Sequence, residues 1–456
     1  MTLLEAARAI RAKEVSPVEL TRECLARIEQ LNPKLNAFIT VTAEQALEQA
    51  SAAEAEIQRG HWRGPLHGIP IALKDVFDTA GVRTTGASAL FENRVPAEDA
   101  AAVQRLKEAG AVLVGKTNLH EFAYGGSTMV SHFGVVRNPW DTERIAGGSS
   151  SGSAAAVMAG MCYAALGSDT AGSIRQPAAF CGAVGLKPTY GRVSMRGMLP
   201  LAWSYDHAGP ITRTVADAAA VLQVLAGYDR EDVTSRDMPV SDYTAAIDLE
   251  IRTLRLGVAR RYFFDNADPA IAAAVNQAVE LLRGLASDLR EIEVPVYSDD
   301  PAKKAEAYAY HAEFTAKSPQ LYHPETLRRI QNGASVTVPE YISARRNLER
   351  VRRDAECLFE TVDAILTPTV VIPPPKIDDL KREPAKLRDV EIITLRNTRP
   401  FNVLGLPTIS VPCGFTNAGL PVGLQITAAP WREDIVLALA HKYQQATHWH
   451  ARAPQV

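Results

Sequence analysis

Residues 146–169 read AGGSSSGSAAAVMAGMCYAALGSD. A turn rich in glycine and serine leads into an alanine-rich stretch at 154–160 that favours a helix. The short apolar run at 162–169 has the length and composition of a buried strand. A loop, a helix and a strand in this order are typical of proteins that alternate the two kinds of element. The stretch therefore predicts an α/β fold.

The same alternation extends to both sides of this stretch. Upstream, GIPIALKD (68–75) is an apolar run that ends in a lysine, AEDAAAVQRLKEAG (97–110) has a helical pattern, and AVLVGK (111–116) is a second apolar run. This order predicts a parallel βαβ unit. Further strand-like runs and one long helix follow at 184–189, 254–260, 270–286, 364–369, 408–414 and 422–428. We expect a single large domain over residues 1–456, with a mixed, mostly parallel β-sheet sandwiched between α-helices.

Two segments outside these runs carry local signals. Ser16-Pro17-Val18-Glu19 form a capping box, which predicts an amphipathic helix that ends before Asn32-Pro33. Residues 300–360 are charged and helical in pattern. Their clustered arginines are Arg345, Arg346, Arg350, Arg352 and Arg353. We interpret this segment as a solvated helix face, with the wall of a substrate pocket as the alternative.

Composition indicates an ordinary globular protein. Apolar residues make up 46% of the chain, charged residues 22%, and the formal net charge is −3, which does not favour binding to a polyanion. The five cysteines are scattered without CxxC pairs, so we expect buried, reduced thiols and no metal site. The N-terminal residues lack a signal-peptide pattern, and the longest apolar run is about 14 residues against roughly 20 for a membrane helix. We expect a cytoplasmic protein that binds no membrane, nucleic acid or cofactor.

The serines at 149–151 permit several functions. Gly148 to Gly152 fit the G-x-S-x-G nucleophile elbow with Ser150 as the attacking residue, but that elbow requires a buried strand directly before it, and the polar segment NPWDTERIA precedes it here. Gly147 and Gly152 have the spacing of a phosphate-binding loop, but no lysine follows them. The structural alternative is that these residues simply cap the next helix.

A second unusual stretch suggests how a serine could be activated without histidine. In GSDTAGSIRQPAAFCG (167–182), small residues allow successive backbone N–H groups to point at one spot, with Ser173 at its end. Lys74 ends the strand-like run at 68–75. A desolvated lysine is neutral and can accept a proton through a bridging hydroxyl. The alternative is that Lys74 is a surface residue paired with Asp75.

Together these stretches resemble the amidase signature family. GGSSSGSAAAVMAG (147–160) and LGSDTAGSIRQPAAFCGAVGLKPTYGRVS (166–194) carry the resemblance. It extends to GPLHGIPIALKDVFDTAG (64–81), GKTNLHEFAYG (115–125), RNPWD (137–141) and GLPTISVPCGF (405–415), with the signature core at about 64–225. The family consists of serine amidohydrolases, so the resemblance implies that this chain cleaves an amide C–N bond.

The resemblance also implies the role of each site residue. Ser173 is the expected nucleophile, Ser149 the bridging hydroxyl in a cis peptide, and Lys74 the base. The backbone N–H groups of Thr170, Ala171, Gly172 and Ser173 are expected to hold the oxyanion. Asp169 and Arg175 are expected to brace the turn. By register, Ala123, Tyr124 and Gly125 flank the acyl site, and Tyr308, Tyr310, His311 and Tyr322 are further pocket candidates.

Three departures from the family pattern affect the finer expectations. Ser151 and Ala171 stand where the family has glycine, which puts the oxyanion geometry in question because alanine adopts a positive φ poorly. Arg432 follows the GLQ strand, where the relative that serves glutaminyl-tRNA synthesis has an acidic residue for the substrate's amino group. We therefore rank a freestanding amidase above a component of an amidotransferase complex.

The expected substrate is a small amide, and the aromatic residues at 308–322 favour an aryl amide or carbamate. Amide, ester and urethane carbonyls remain open as targets of the same chemistry. An amidotransferase subunit that releases ammonia from glutamine, and a catalytically silent scaffold, are the alternatives. The resemblance also implies a homodimer.

Overall fold

A computed structural model describes residues 1–297 and 301–456 of the protein. One eleven-stranded sheet runs through it, and a separate two-stranded ribbon lies beside that sheet. The strands are β1 (Phe38–Val41), β2 (Pro70–Lys74), β3 (Val112–Thr117), β4 (Arg137–Asn138), β5 (Asp141–Ile145), β6 (Ala164–Ser168), β7 (Val184–Lys187), β8 (Ala208–Thr212), β9 (Arg255–Val258), β10 (Asp288–Glu291), β11 (Ala364–Pro368), β12 (Thr408–Phe415) and β13 (Pro421–Ala428). The sheet order is β1-β3-β2-β6-β8-β7-β12-β13-β11-β9-β10.

The expected α/β class and mixed sheet are confirmed. Strands β3, β2 and β6 form one parallel block, and β11, β9 and β10 form another. Between them the pairs from β6 to β11, through β8, β7, β12 and β13, are all antiparallel. The expected parallel pairing thus holds in the two blocks and not at the centre, where β12 and β13 form a hairpin.

Helices cover both faces of the sheet. The α-helices are α1 (Leu3–Arg11), α2 (Pro17–Leu35), α3 (Ala43–Gln58), α4 (Ala101–Glu108), α5 (Ser151–Met158), α6 (Arg175–Cys181), α7 (Val215–Leu225), α8 (Tyr243–Ala246), α9 (Pro269–Leu285), α10 (Pro301–Lys317), α11 (Pro324–Gln331), α12 (Val338–Asp354), α13 (Ile377–Arg382), α14 (Leu387–Thr394), α15 (Arg399–Val403) and α16 (Glu433–Gln445). The sequence expectation of a sheet enclosed by helices is correct.

Alternate residues of β2 show how the sheet is enclosed. Ile71 and Leu73 pack into a core with α1, α4, α7 and α16, whereas Ala72 packs into a second core with α2 and α5. Successive side chains of a strand point to opposite faces, so a strand buried on both faces is apolar throughout. This pattern explains the continuous apolar run at 68–73, and it leaves Lys74 buried where that run ends.

Two local expectations are wrong. The helix that begins at the confirmed Ser16 capping box continues to Leu35, because Pro33 lies within its last turn and the helix ends only where Asn36 adopts a left-handed φ of 54°. The cysteines are free, but Cys357 is exposed while the other four are buried.

Within residues 1–297 and 301–456, no helix is long and apolar enough to cross a bilayer.

Candidate active site

Lys74 lies at the end of β2 with its amine completely buried. Its Nζ is 2.7 Å from Ser149 Oγ and 2.8 Å from Ser168 Oγ. Burial lowers the pKa of Lys74 from 10.5 to about 7, although the charges of Asp169 and Asp206 oppose the shift. The alternative of a surface lysine paired with Asp75 is wrong. Near neutral pH a large fraction of this amine is unprotonated and can accept a proton from a hydroxyl.

Ser149 lies in the loop before α5, and the Gly148–Ser149 peptide bond is cis. The loop is enclosed tightly, since a Cβ atom on Gly148 would lie 2.8 Å from the backbone of Gly126 and of Ser127. Gly148 N donates to Gln176 Oε1 over 2.9 Å. These contacts fix the loop between the 125–127 segment and α6, with Ser149 Oγ directed at Lys74.

Ser173 lies in the turn between β6 and α6 and is 5% exposed. Its carbonyl accepts a hydrogen bond from Ser150 N over 3.2 Å, which joins this turn directly to the Ser149 loop. Both loops stand at the edge of the sheet where β2 and β6 end, because these strands are parallel neighbours. The fold therefore gathers Lys74, Ser149 and Ser173 in one region.

The four expected oxyanion donors are not equivalent. Gly172 N donates to Asp169 Oδ1 over 2.7 Å, so this N–H is already used inside the turn. The N–H groups of Thr170, Ala171 and Ser173 make no hydrogen bond within the described part of the chain. Gly172 adopts a φ of +127°, and a Cβ atom there would collide with Thr398 Oγ1. Ala171 has no positive φ, so the replacement of glycine at this position does not strain the turn.

A buried ion pair braces the turn. Arg175 Nη2 lies 3.0 Å from Asp169 Oδ1, and both side chains are fully buried. Burial alone would raise the pKa of Asp169, but the charge and hydrogen bonds of Arg175 outweigh it and hold the pKa below its usual range. Arg175 Nη1 also donates to Gln425 Oε1 on β13 over 2.8 Å. The two residues hold the turn in shape, as the sequence suggests.

Ser150 and Ser151 have structural contacts. Ser150 Oγ donates to Ser168 O over 3.1 Å and accepts from Ser168 N over 3.2 Å, so its hydroxyl joins the serine-rich loop to the end of β6. Ser151 Oγ is hydrogen-bonded to Thr128 Oγ1.

Ser168, whose hydroxyl also accepts a hydrogen bond from the Lys74 amine, was not predicted from the sequence. Its place at the end of β6, beside the end of β2, is the signal that could have identified it.

The loop with Ala123, Tyr124 and Gly125 lies against the Ser149 loop, since a Cβ atom on Gly148 would lie 3.1 Å from Gly125 O. Phe122 and Ala123 have left-handed φ values of 48° and 59°. Tyr124 O accepts from Arg329 Nη1 over 2.6 Å, and the same Nη1 is 2.8 Å from the buried Glu391 Oε2. The loop is thus held by Arg329 of α11, which is itself paired with Glu391 of α14. Its contact with substrate stays a prediction.

The aromatic residues at 308–322 lie behind this loop. The rings of His311 and Tyr322 pack on Phe122 with centroid separations of 4.5 and 5.5 Å. His311 Nδ1 is 2.9 Å from Tyr322 OH, and burial lowers the pKa of His311 to about 3. Tyr308 and Tyr310 pack against the same core. These residues support the loop from the core side.

Helix α12 is largely solvated, with Leu348 and Val351 as its buried residues. Arg352 is the member of the arginine cluster that reaches inward, since its Nη2 donates to Ser204 O over 2.6 Å. Arg432, in contrast, is half exposed and pairs with Asp434 at 2.9 Å. Its charge is therefore balanced locally.

Comparison with known proteins identifies the family. The model of the Amidase family matches residues 19–437. The chain belongs to the amidase signature family. It is 42% identical to the A-type subunit of the glutamyl-tRNA(Gln) amidotransferase of Geobacter metallireducens over 481 aligned residues, which cover 99% of this chain and 98% of that protein. The aligned length exceeds the 456 residues of this chain, so the relative contains segments that are absent here.

Two solved structures are similar to the chain over nearly its whole length. The corresponding glutamyl-tRNA(Gln) amidotransferase subunit from Thermotoga maritima is 36% identical and superposes with a TM-score of 0.78 over 96% of this chain and 93% of that chain. A 6-aminohexanoate cyclic dimer hydrolase with bound substrate is 30% identical, with a TM-score of 0.90 over 100% and 98% of the two chains. The protein is accordingly an amidase-family hydrolase that acts on C–N bonds.

These comparisons correct two expectations from the sequence. The expectation of no nucleic-acid partner is contradicted, because relatives of 42 to 44% identity over the whole chain are named for glutamyl-tRNA. The preference for a freestanding amidase, drawn from Arg432, is not supported by these names either. One arginine outside the catalytic loops carries less information than the rest of the chain.

Proposed function

We propose that the chain cleaves amides through an acyl-enzyme on Ser173, with Ser149 as the proton relay and Lys74 as the base. The observation that carries this proposal is the buried Lys74 amine, whose pKa is lowered to about 7 and whose Nζ is 2.7 Å from Ser149 Oγ. A neutral amine has one lone pair, so it can accept the Ser149 proton while one of its N–H bonds points to Ser168 Oγ.

The proton and the bonds balance in two steps. Ser173 Oγ transfers its proton to Ser149 Oγ, which passes its own proton to Lys74, as a new C–O bond forms at the substrate carbonyl. The unused N–H groups of Thr170, Ala171 and Ser173 are suited to hold the resulting oxyanion. The proton then returns through Ser149 to the leaving nitrogen as the C–N bond breaks. Water hydrolyses the acyl-enzyme by the same relay.

For the substrate we propose the side-chain amide of glutamine, with the released ammonia used to amidate glutamyl-tRNA in a complex with other proteins. Support comes from the 42 to 44% identity, along nearly the whole chain, to proteins named as glutamyl-tRNA(Gln) amidotransferase subunits. This identity extends well beyond the catalytic loops.

A freestanding hydrolase of small amides is the second candidate. The higher TM-score of 0.90 with a cyclic dimer hydrolase, against 0.78 with the Thermotoga protein, favours it. Aryl amides, anilides and carbamates are the substrates that this candidate predicts.

A substrate panel separates these candidates. The purified chain is assayed with glutamine, asparagine, an anilide, an aryl carbamate and a p-nitrophenyl ester, alone and with an amidotransferase complex from which the homologous subunit has been removed. Glutamine hydrolysis that increases in the complex supports the role in tRNA amidation. Turnover of anilides or carbamates without glutamine hydrolysis supports the second candidate. The Ser173→Ala variant must lose each activity, and full turnover in that variant contradicts the mechanism.

A further inference from the structure

The side chain of Thr170 is held by a carboxylate outside the proposed catalytic residues. Thr170 Oγ1 donates to Asp206 Oδ1 over 2.5 Å, and both residues are buried. Thr170 carries one of the unused N–H groups beside Ser173. The direction of that N–H depends on the peptide plane between Asp169 and Thr170, so a contact that fixes Thr170 also fixes a proposed oxyanion donor.

The second carboxylate oxygen of Asp206 accepts hydrogen bonds from the backbone of its own loop. Asp206 Oδ2 accepts from Leu201 N over 2.9 Å and from Ala202 N over 3.0 Å. Asp206 therefore receives three hydrogen bonds, one from the turn and two from its own loop. Burial raises the pKa of Asp206 to about 7, while these three bonds favour the ionised form. With three donors directed at it, the Asp206 side chain acts as a hydrogen-bond acceptor.

The neighbouring residue holds the other end of the same peptide plane. His207 N donates to Asp169 O over 3.1 Å, and Asp169 N donates to His207 O over 2.8 Å. Asp206 thus holds Thr170 through its side chain, and His207 holds Asp169 through the backbone. The two contacts together leave the plane that carries Thr170 N little freedom to rotate.

The loop is in turn anchored to the 301–354 helices. Ser204 N donates to Glu306 Oε2 on α10 over 3.0 Å, and Ser204 O accepts from Arg352 Nη2 on α12 over 2.6 Å. A rigid support is what a fixed oxyanion donor requires, because its benefit depends on being aligned before the charge develops.

We propose that Asp206 is a positioning residue for catalysis, which holds the Thr170 N–H toward the oxyanion of the acyl-transfer step. This inference rests on the proposed function. Asparagine keeps one acceptor oxygen for the two N–H groups of the 201–202 backbone, but its NH2 group then donates to Thr170 Oγ1. This reverses the hydrogen bond and removes the charged acceptor that holds the Thr170 hydroxyl in the wild type.

The test compares Asp206→Asn with wild type on a substrate that wild type turns over. We expect kcat to fall about 10- to 100-fold with KM within about threefold, because the lost alignment matters only in the transition state. The affinity for a trifluoromethyl ketone, which forms a tetrahedral adduct, is expected to fall by the same factor as kcat. Asp217→Asn is the matched control, since Asp217 is a buried carboxylate on α7 that accepts from Leu4 N over 3.0 Å.

A second variant isolates the Thr170 contact. Thr170→Val keeps the backbone and removes the hydroxyl, so it is expected to lose as much kcat as Asp206→Asn, and the double variant is expected to be no slower than either single one. If Asp206→Asn does not fold, Thr170→Val alone decides. A kcat within threefold of wild type in a folded variant, an equal loss in Asp217→Asn, or multiplicative losses in the double variant would overturn the inference. Turnover that survives in Ser173→Ala overturns the proposed function first, and the inference with it.

Discussion

The Lys74 amine lies in an environment far from the usual one of a lysine, because it is fully buried. A lysine is almost never fully buried without a partner of opposite charge, because removal of an ammonium group from water is costly. Here the contacts of Nζ are two serine hydroxyls at 2.7 and 2.8 Å. The fold thus holds this amine in a form that is useful as a base and unfavourable for stability.

Replacement of Lys74 by methionine separates these two effects. The folded pKa of about 7 lies below the unfolded value of 10.5, so the unfolded state binds more protons over that window and wild-type stability rises with pH from about 7 to 10.5. Lys74→Met lacks this slope. We expect the stability that Lys74→Met gains over wild type to be about 2–3 kcal/mol larger at pH 6 than at pH 9. Thermal unfolding at the two pH values measures the difference, and an equal gap at both contradicts a neutral buried amine.

Gly172 offers a second prediction at the residue scale. A methyl group there meets Thr398 Oγ1, and the φ of +127° is one that side chains rarely adopt. We expect Gly172→Ala to lower kcat by at least about 100-fold, as the turn shifts away from the site. Gly419→Ala is the control, since Gly419 has a φ of +74° with nothing within 4 Å of its Cβ position. Comparable kcat values for the two variants would contradict the tight packing of the turn.

Motifs nominate candidate residues, but they do not show which other residues those candidates contact. The family resemblance carried by the two serine-rich stretches and by GIPIALKD (68–75) nominated Lys74, Ser149 and Ser173. The Ser168 hydroxyl and the Asp206 carboxylate were missed, because their partners lie 94 and 36 positions away in the sequence. A hydrogen bond over such a separation depends on strand order, which no local pattern encodes.

Among the elements, α6 connects the nucleophile turn to the rest of the sheet. Arg175 at its first turn contacts Asp169 of the turn, Gln425 of β13 and Asn402 of α15. A single buried guanidinium with five N–H donors can serve several acceptors at once, which an apolar side chain cannot. The position of Ser173 therefore depends on strands far along the chain.

We predict that Arg175→Met lowers the free energy of unfolding by about 3–5 kcal/mol, because it leaves the buried Asp169 carboxylate without its partner. Urea denaturation measures the change. Arg283→Met is the matched control on α9, where the exposed arginine pairs with Glu280 at 2.6 Å, and we expect a change within about 0.5 kcal/mol. If the two variants lose similar amounts, the ion pair does not support the turn.

The elements found from sequence are those with a strong local pattern. The β2-α4-β3 unit follows from two apolar runs around a periodic helix, and the structure confirms its parallel pairing. Strand β8 is buried between β6 and β7 and has the sequence AGPIT. Its glycine and proline are unusual inside a strand, so the sequence does not predict one there. Strand β10 is a short edge strand of mostly charged residues, which gives no apolar run to detect.

At the scale of the whole molecule, strand direction was the least predictable property. Short apolar runs identify strands, but the antiparallel centre from β6 to β11 arises from how the connections cross the sheet. The family resemblance supplied what the runs could not. It gave the correct class of enzyme. The choice between a freestanding amidase and a tRNA-linked role could not be drawn from Arg432, which is half exposed and pairs with Asp434.

The most direct test of the central claim follows covalent labelling by a fluorophosphonate from pH 5 to 10, with the modified residue located by fragmentation of the 145–175 peptide. The account predicts one adduct, on Ser173, with a labelling rate that rises to a plateau around an apparent pKa near 7, as for the Lys74 amine, and that is lost in Lys74→Met. An adduct on Ser149 or Ser150, or a Ser173 labelling rate that is unchanged in Lys74→Met, would contradict it.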